Sequence, residues 1–509
     1  MRLFSGIVYK IFFMAAALIG IFLFFADFAD LRFNTADGSI YLNIAENIFN
    51  HKGFVVSYNL CQCFNGLYHP IWAYYQPLYP VFASLFIGHG GIAEVIWVNI
   101  LLFALSMILI MYIVHRLMPN WLNILFFIFL TFSFNCYICA VYPWSEELHL
   151  FCFIITFILF LKFKEKSGAL FGLGIVNGVL MLVRVAHMYN FLAYIPVIFI
   201  GKGNLAQKIK RACFFVGGFI LFYGLYQLFC FLTYHTFYPS YARPGANYGI
   251  VRFVSGIVYD PAKVGLQVSM GSMFTRQHVM YIAQHLRDFY KQMPYFLWPA
   301  LFYFVLPEDK KVKGGLIELC FFQSIFTVIG YSLTFYWLTY SFDALRYSLI
   351  PYIMISIVGW YCMYEGLSLA SSLGRLLIGL VVMSCLFVSP QVDRFFSFEK
   401  HAFKHPRQEY PYYRNLYASY QWINKNLPQE ILVASDEDQE GYFMHRPFIS
   451  TPLGASYNCS NLILYNRIYS PDYYLLTSFH SDKCFASIAH STIYTNEIFR
   501  VLEVNKKRT

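Results

Sequence analysis

Long apolar runs recur through most of the chain and leave few charged residues between them. Only 13% of the 509 residues are charged, against about 25% in a typical soluble domain. Eleven runs precede residue 391, at 7–25, 91–114, 120–141, 147–163, 168–183, 188–200, 212–232, 295–306, 315–338, 346–364 and 375–389. Runs of about 20 apolar residues cross a bilayer as helices, although several of these are shorter. The sequence therefore predicts a polytopic α-helical membrane protein with about eleven transmembrane helices.

The connections between the runs predict the orientation of these helices. Alternate short connections are basic, with Arg116, then Lys162, Lys164 and Lys166, then Lys202, Lys208, Lys210 and Arg211, then Lys310, Lys311 and Lys313, then Arg375. Short basic loops face the cytoplasm. The first run lacks a cleavage site, and the basic residues Arg2 and Lys10 near its start place the N-terminus on the cytoplasmic side as well. Segments 26–90, 143–147, 233–294 and the tail are then external. The net charge of +10 is explained by these loops, and we expect no nucleic-acid partner.

The tail differs in composition from the rest of the chain. Residues 422–428 indicate an amphipathic helix that ends at a proline, and residues 431–434 indicate a buried strand. We therefore expect a transmembrane domain at 1–390 and a small soluble α/β domain at 391–509. Eight of the 12 cysteines lie in or beside apolar runs and are expected to be free. Cys459 and Cys484 form a disulfide or remain free, according to whether their side is oxidising.

The first external segment places an acidic residue directly after the first apolar run. Tyr41, Ile44, Ala45 and Ile48 recur at helical spacing, which predicts an amphipathic helix in the membrane interface beginning near Asp37. Asp37 is a candidate proton acceptor at the bilayer surface. The alternative is that its carboxylate only stabilises the positive end of the helix dipole.

Glu146 and Glu147 are adjacent carboxylates in the short external turn at 143–147. Acidic residues at the mouth of a membrane bundle are costly to bury, so they indicate a functional site. Alternatively, they are solvated residues at the start of the next helix, where Ser145 would act as the cap.

Arg184 and Arg346 lie near the external ends of two predicted helices. A guanidinium there extends to lipid headgroups or binds a phosphate through paired hydrogen bonds. A carboxylate that accepts a proton, together with arginines that stabilise a leaving phosphate, would suit an anionic lipid-linked substrate.

The order of these features resembles the glycosyltransferase C superfamily. The resemblance is strongest to the branch with protein O-mannosyltransferases, aminoarabinose transferases of lipid A and transferases of lipopolysaccharide core sugars. The matching segments are Asp37 with Tyr41 and Ala45, then Gln76 to Pro80, Ser145 to Phe151, Gly178 to Arg184, Arg346 and Tyr347 with Pro351, and Trp422, Ile423, Asn426 and Pro428 followed by Arg446 and Pro447. They span almost the whole chain in the family's order.

The resemblance implies an inverting transfer of a hexose or pentose from a polyprenyl-phosphate donor. The acceptor would be a lipid-linked glycan, a lipopolysaccharide or a protein on the non-cytoplasmic face. Asp37 would be the base and Glu146 a second acidic residue, whereas Arg184 and Arg346 would contact the carrier phosphate. Four further residues would position the substrates, namely Tyr41, Gln76, Tyr79 and Glu147.

Two positions depart from the family's pattern. Several relatives have a lysine where this chain has Gln76 and a second acid where it has Gly38. Lys52, Arg243 or Arg252 would then supply the missing positive charge. No metal-ligand spacing occurs among the 14 histidines, so we expect neither a metal nor another cofactor.

Two other function classes fit a polytopic chain. A transporter or lipid flippase would explain the helices, but it needs neither the long first external segment nor a soluble tail, and no two-fold hydropathy symmetry is present. A superfamily relative without catalytic activity is the second alternative. We expect a bacterial inner membrane, with the site facing the periplasm.

Overall fold

The computed structural model describes residues 36–56, 71–72, 76–118, 120–234, 287, 300–306, 315–334, 346, 348–369, 374, 411–435, 448–450, 470–477, 488 and 490–505. The first and last predicted spans, most of the loop 233–294 and the cysteines Cys459 and Cys484 lie outside these residues.

The described residues are mostly helical. The helices are α1 (Ala36–Phe49), α2 (Leu78–Gly90), α3 (Ile92–His115), α4 (Asn120–Thr131), α5 (Phe134–Val141), α6 (Glu146–Phe163), α7 (Ser167–Leu180), α8 (His187–Ile200), α9 (Leu205–Tyr234), α10 (Leu316–Thr334), α11 (Leu349–Leu369) and α12 (Pro411–Asn426), with a 3-10 turn at Phe302–Val305. The bounds of α3 and α6 to α8 follow the predicted apolar runs to within a few residues.

Two described helices are long and apolar enough to cross a membrane, Ile92–His115 and Leu205–Leu232. The bent pair Leu122–Thr131 and Phe134–Val141 would make a third span. Four more apolar helices are shorter, Leu78–Gly88, Ser167–Leu180, His187–Ile200 and Leu316–Gly330. The total of about eleven spans stays a prediction.

The predicted run at 120–141 is divided into α4 and α5, which meet at an angle of 56°. Ser133 lies between them with an extended backbone (φ −78°, ψ 124°), the conformation of a residue that precedes a new helix. The bend brings residues 134–141 into the buried core of the bundle. Hydropathy does not reveal this break, because the residues on both sides of it are apolar.

Helix α1 is covered on two sides, and its place in the membrane interface stays a prediction. Tyr41, Leu42 and Ala45 pack in a cluster with residues of α2, α3, α6 and α7. Ile40 and Ile44 pack with residues of α12 and of the C-terminal sheet. The amphipathic pattern predicted one apolar face and neither of these contacts, the second of which comes from residues more than 370 positions later in the chain.

The last part of the chain contains α12 and a five-stranded sheet. Its strands are β3 (Val433–Ser435), β4 (Phe448–Ser450), β5 (Tyr473–Thr477), β6 (His490–Thr495) and β7 (Phe499–Val504), in the order β4-β3-β5-β7-β6. Strand β3 is parallel to both of its neighbours, whereas β7 is antiparallel to β5 and β6. A shorter antiparallel pair joins β1 (Val55–Val56) to β2 (Ile71–Trp72). The helix and strand expected at 422–434 are thus present, and the separate external domain stays a prediction.

Candidate functional site

Glu146 lies at the start of α6 and pairs with both candidate arginines. Arg346 Nε donates a hydrogen bond of 2.7 Å to Glu146 Oε1, and Arg184 forms a salt bridge with the same oxygen. All three side chains are buried, with 2% of Glu146, 6% of Arg346 and 9% of Arg184 exposed. Glu146 is therefore not a solvated residue at the start of a helix. The two arginines pair with Glu146 and do not extend to lipid headgroups.

Arg346 is also held by an aromatic ring. Its guanidinium carbon lies 4.1 Å from the centre of the Trp144 ring, in cation–π contact. Asn99 on α3 fixes the turn that carries Trp144, because its amide donates to the carbonyl oxygens of Tyr142 (2.8 Å) and Trp144 (3.2 Å). The same amide donates to the hydroxyl of Tyr79 at 3.1 Å, so Tyr79 is linked to the site through Asn99.

Arg184 lies in the turn between α7 and α8. Its backbone N–H donates to the carbonyl oxygen of Leu180, and its own carbonyl accepts a hydrogen bond from the N–H of His187. The N–H of Leu78, at the start of α2, donates to the carbonyl oxygen of Leu182 at 2.9 Å. This bond joins the segment after Gln76 to the turn that positions Arg184.

A small cavity lies beside the ion pairs. Its empty volume is about 260 Å³, part of it open, and it is lined by Glu146, His149, Arg184, Asn190, Thr327, Arg346, Leu349 and Ile350. The side chains come from α6, α8, α10, α11 and the residues that precede α8 and α11. Residues that are distant in sequence thus meet at one charged cavity.

Several polar residues of this cavity were not predicted from the sequence. His149 Nε2 lies 2.9 Å from His187 Nδ1, and Asn190 Oδ1 accepts a hydrogen bond of 2.8 Å from the Thr327 hydroxyl. Gln323 also donates to the Asn190 carbonyl at 2.9 Å. Polar residues within apolar helices carry a usable signal, and His149 is three residues after Glu146, on the same face of α6.

Glu147 is completely buried next to the ion pairs. Neither of its carboxylate oxygens has a hydrogen-bond partner within the described ranges. A buried carboxylate without a hydrogen-bond partner is unusual, since buried polar groups are normally hydrogen-bonded. The solvated alternative therefore does not hold for Glu147 either.

The other predicted residues lie at different places. Asp37 belongs to the first turn of α1, and Tyr41 contacts Tyr79 edge-to-face with ring centres 5.1 Å apart. Gln76 is partly exposed ahead of α2. Lys52 is exposed beyond the end of α1, roughly 20 Å along the helix from Asp37 at 1.5 Å per residue. Lys52 is therefore not close to the Asp37 end of this helix.

No group of three or more histidine, cysteine, aspartate or glutamate residues that would hold a metal occurs among the described residues. The expectation that the chemistry needs no metal stays a prediction.

No protein-family model matches the sequence, and no curated protein is significantly similar to it. Solved structures do match. ArnT from Cupriavidus metallidurans matches in the form bound to undecaprenyl phosphate and in the apo state, with TM-scores of 0.54 and 0.55, 11% identity and 98% of each chain covered. The archaeal oligosaccharyltransferase AglB from Archaeoglobus fulgidus, in complex with an inhibitory peptide and a dolichol-phosphate, matches with a TM-score of 0.51 and 10% identity, over 97% of this chain and 74% of that chain.

Both of these proteins are glycosyltransferases of the glycosyltransferase C superfamily. The resemblance predicted from the sequence is therefore confirmed at the level of the fold: the chain has the fold of the glycosyltransferase C superfamily.

Proposed function

We propose that this chain is an integral-membrane glycosyltransferase that transfers a sugar from a polyprenyl-phosphate donor. The observation that carries the proposal is the buried cluster of Arg184, Arg346 and Glu146 beside a partly open cavity in a chain with this fold. The undecaprenyl phosphate of the ArnT complex and the dolichol-phosphate of the AglB complex support a lipid phosphate as the ligand class.

The charges of the cluster suit a phosphate. Two guanidiniums share one carboxylate, so these three groups carry a net charge of +1. Arginine binds phosphate oxygens through a fork of hydrogen bonds, and its charge stabilises the negative charge that develops on a leaving phosphate. The positive end of the α6 dipole lies at Glu146 and adds to the attraction for an anion. Glu146 would hold the arginines in position before the donor enters.

The chemistry would be an inverting displacement at the anomeric carbon. Asp37 would accept the proton of the acceptor hydroxyl, the acceptor oxygen would bond to the anomeric carbon, and the lipid phosphate would leave towards Arg184 and Arg346. Tyr41, Tyr79, Gln76 and Glu147 would shape the positions of the substrates. Arg243 and Arg252, which lie outside the described residues, would supply additional positive charge near the donor, whereas Lys52 lies at the far end of α1 from Asp37.

We further propose that the site faces the periplasm of a bacterial inner membrane. Residues 1–390 would form the transmembrane domain, in which 26–90 and 233–294 are external, and residues 391–509 would form an external soluble domain. The acceptor would be a lipid-linked glycan, a lipopolysaccharide or a protein. The packing of α1 against α12 and the C-terminal sheet supports a tail on the same side as Asp37.

A transfer assay tests the proposal. The purified full-length protein in lipid nanodiscs is incubated with undecaprenyl phosphates that carry radiolabelled sugars, together with envelope lipids, lipopolysaccharide or protein as acceptor. We expect loss of the donor and transfer of the label, and Arg346→Met should abolish most of both. A flippase would move the donor across a vesicle bilayer without consuming it, and an inactive relative would bind the donor without consuming it.

A further inference from the structure

A chain of buried polar side chains leads from the interior of the bundle to the cavity. His149 Nε2 lies 2.9 Å from His187 Nδ1, and His187 Nε2 lies 2.8 Å from Asn177 Oδ1. The Asn177 amide nitrogen donates to the Leu173 carbonyl at 2.7 Å. The two imidazole rings are perpendicular, with centres 5.1 Å apart, and His149 is the member that lines the cavity.

These hydrogen bonds fix the tautomers of both histidines. Because the Asn177 nitrogen donates to Leu173, its oxygen must accept, so His187 Nε2 carries a hydrogen. A charged imidazole without a counter-charge is costly to bury, so His187 is neutral and its Nδ1 accepts a hydrogen bond from His149 Nε2. Nδ1 of a neutral His149 is then an acceptor, and His149 lines the cavity.

Glu146 Oε2, which has no hydrogen-bond partner among the described residues, is one acceptor at the cavity, and the other lining groups offer few more. Arg184 and Arg346 are donors only, and both are paired with the same oxygen of Glu146. Asn190 Oδ1 already accepts a hydrogen bond from Thr327. A sugar bound with its phosphate near the arginines would bring hydroxyl donors into the cavity, and a hydroxyl donor that is buried without an acceptor weakens binding.

We propose that His149 is a specificity-determining residue that accepts a hydrogen bond, through Nδ1, from the donor sugar's hydroxyl next to the anomeric carbon. His187 and Asn177 are positioning residues that hold its tautomer and ring orientation. This inference rests on the proposed function. The hydroxyl next to the anomeric carbon is chosen because the anomeric carbon is bonded to the phosphate, and the arginines hold that phosphate.

The test compares lipids with and without a sugar. Dissociation constants for undecaprenyl phosphate and for undecaprenyl phosphoglucose are measured with the full-length protein in nanodiscs. His149→Gln keeps an amide nitrogen that reaches His187 but loses the acceptor at the Nδ1 position. We expect it to weaken binding of the glucose-bearing lipid about tenfold and to leave undecaprenyl phosphate within about twofold.

Two further variants separate this role from a general loss of structure. His149→Asn places an amide oxygen near the Nδ1 position and should recover part of the preference for the glucose-bearing lipid. His115→Gln removes another histidine that is bonded to an asparagine (Asn123, 3.3 Å) but does not line the cavity, and it should change neither constant. With a 2-deoxyglucose lipid, the wild-type protein and His149→Gln should bind equally.

The outcomes separate the two proposals. Wild-type protein that binds neither lipid would overturn the proposed function and this inference together. Wild-type protein that binds both lipids, with His149→Gln unchanged or weakened equally for both, would overturn the inference alone. If the wild-type protein binds the glucose lipid and the 2-deoxyglucose lipid with equal dissociation constants, the assignment of this hydroxyl is also overturned.

Discussion

Glu146 and Glu147 are adjacent on α6 but differ in their partners, so they form a matched pair for substitution. Glu146→Gln removes the charge between two buried guanidiniums, and breaking a buried ion pair costs about 3–5 kcal/mol. Glu147→Gln removes a carboxyl group that has no hydrogen-bond partner in the described structure, so its cost should be small. We expect a clearly lower thermal unfolding temperature in detergent for Glu146→Gln only. Equal losses would contradict the assigned role of Glu146.

Asp37→Asn tests the proposed base. The amide keeps the size of the side chain but cannot accept the acceptor's proton, so transfer should fall by about 10² to 10⁴-fold. The variant should still accumulate in the membrane and bind undecaprenyl phosphate. Glu46→Gln, at the other end of the same helix, is the control and should retain transfer within a few-fold. Normal transfer by a folded Asp37→Asn protein would remove the base assignment.

The sequence predicted some residues of the cavity and missed others for a physical reason. Glu146, Arg184 and Arg346 stand out because charges at the ends of apolar runs are rare and costly. Asn190 and Thr327 carry no charge, and their meeting depends on how α8 packs against α10. Hydropathy shows where a helix lies in the chain but not which face of it meets which neighbour.

At the scale of the elements, single helices were predictable and their contacts were less so. The bounds of α6 to α8 agree with the apolar runs because such a run marks a helix whichever way its side chains face; Val176 and Leu192, for example, are exposed. The bend at Ser133 depends on one residue's backbone conformation. The second covered face of α1 depends on α12, which is distant in the sequence.

Helices α7 and α9 pack closely through glycines, and this contact can be tested. A Cβ atom at Gly218 would overlap the carbonyl oxygen of Phe171, whereas a Cβ atom at Gly217 would meet nothing within 4 Å. Gly218→Ala should therefore lower stability by about 1–3 kcal/mol, the usual cost of overpacking. Gly217→Ala should be neutral or stabilising by up to about 1 kcal/mol, because alanine favours helix. Thermal unfolding in detergent compares them, and similar shifts would argue against this packing.

At the scale of the whole molecule, the mechanism needs Asp37, the arginine cluster and the tail on one side of the membrane. The positions of the basic connections support this arrangement. Its direct consequence is that residues after α12 and residues between α8 and α9 are exposed on opposite sides. Glu430 and Lys202 are exposed residues in these two places, so each is suitable for a labelling cysteine.

Cysteine labelling of intact spheroplasts checks the topology. In a background in which Cys61, Cys63, Cys213, Cys459 and Cys484 are all replaced by serine, Glu430→Cys should react with a membrane-impermeant maleimide without permeabilisation. Lys202→Cys should react only after permeabilisation, because it lies next to the basic start of α9, with Lys208, Lys210 and Arg211, and short basic connections are retained in the cytoplasm. The reverse labelling pattern would mean that the chain crosses the membrane in the opposite orientation. It would place the donor site on the cytoplasmic face, where a sugar transfer to periplasmic acceptors cannot occur.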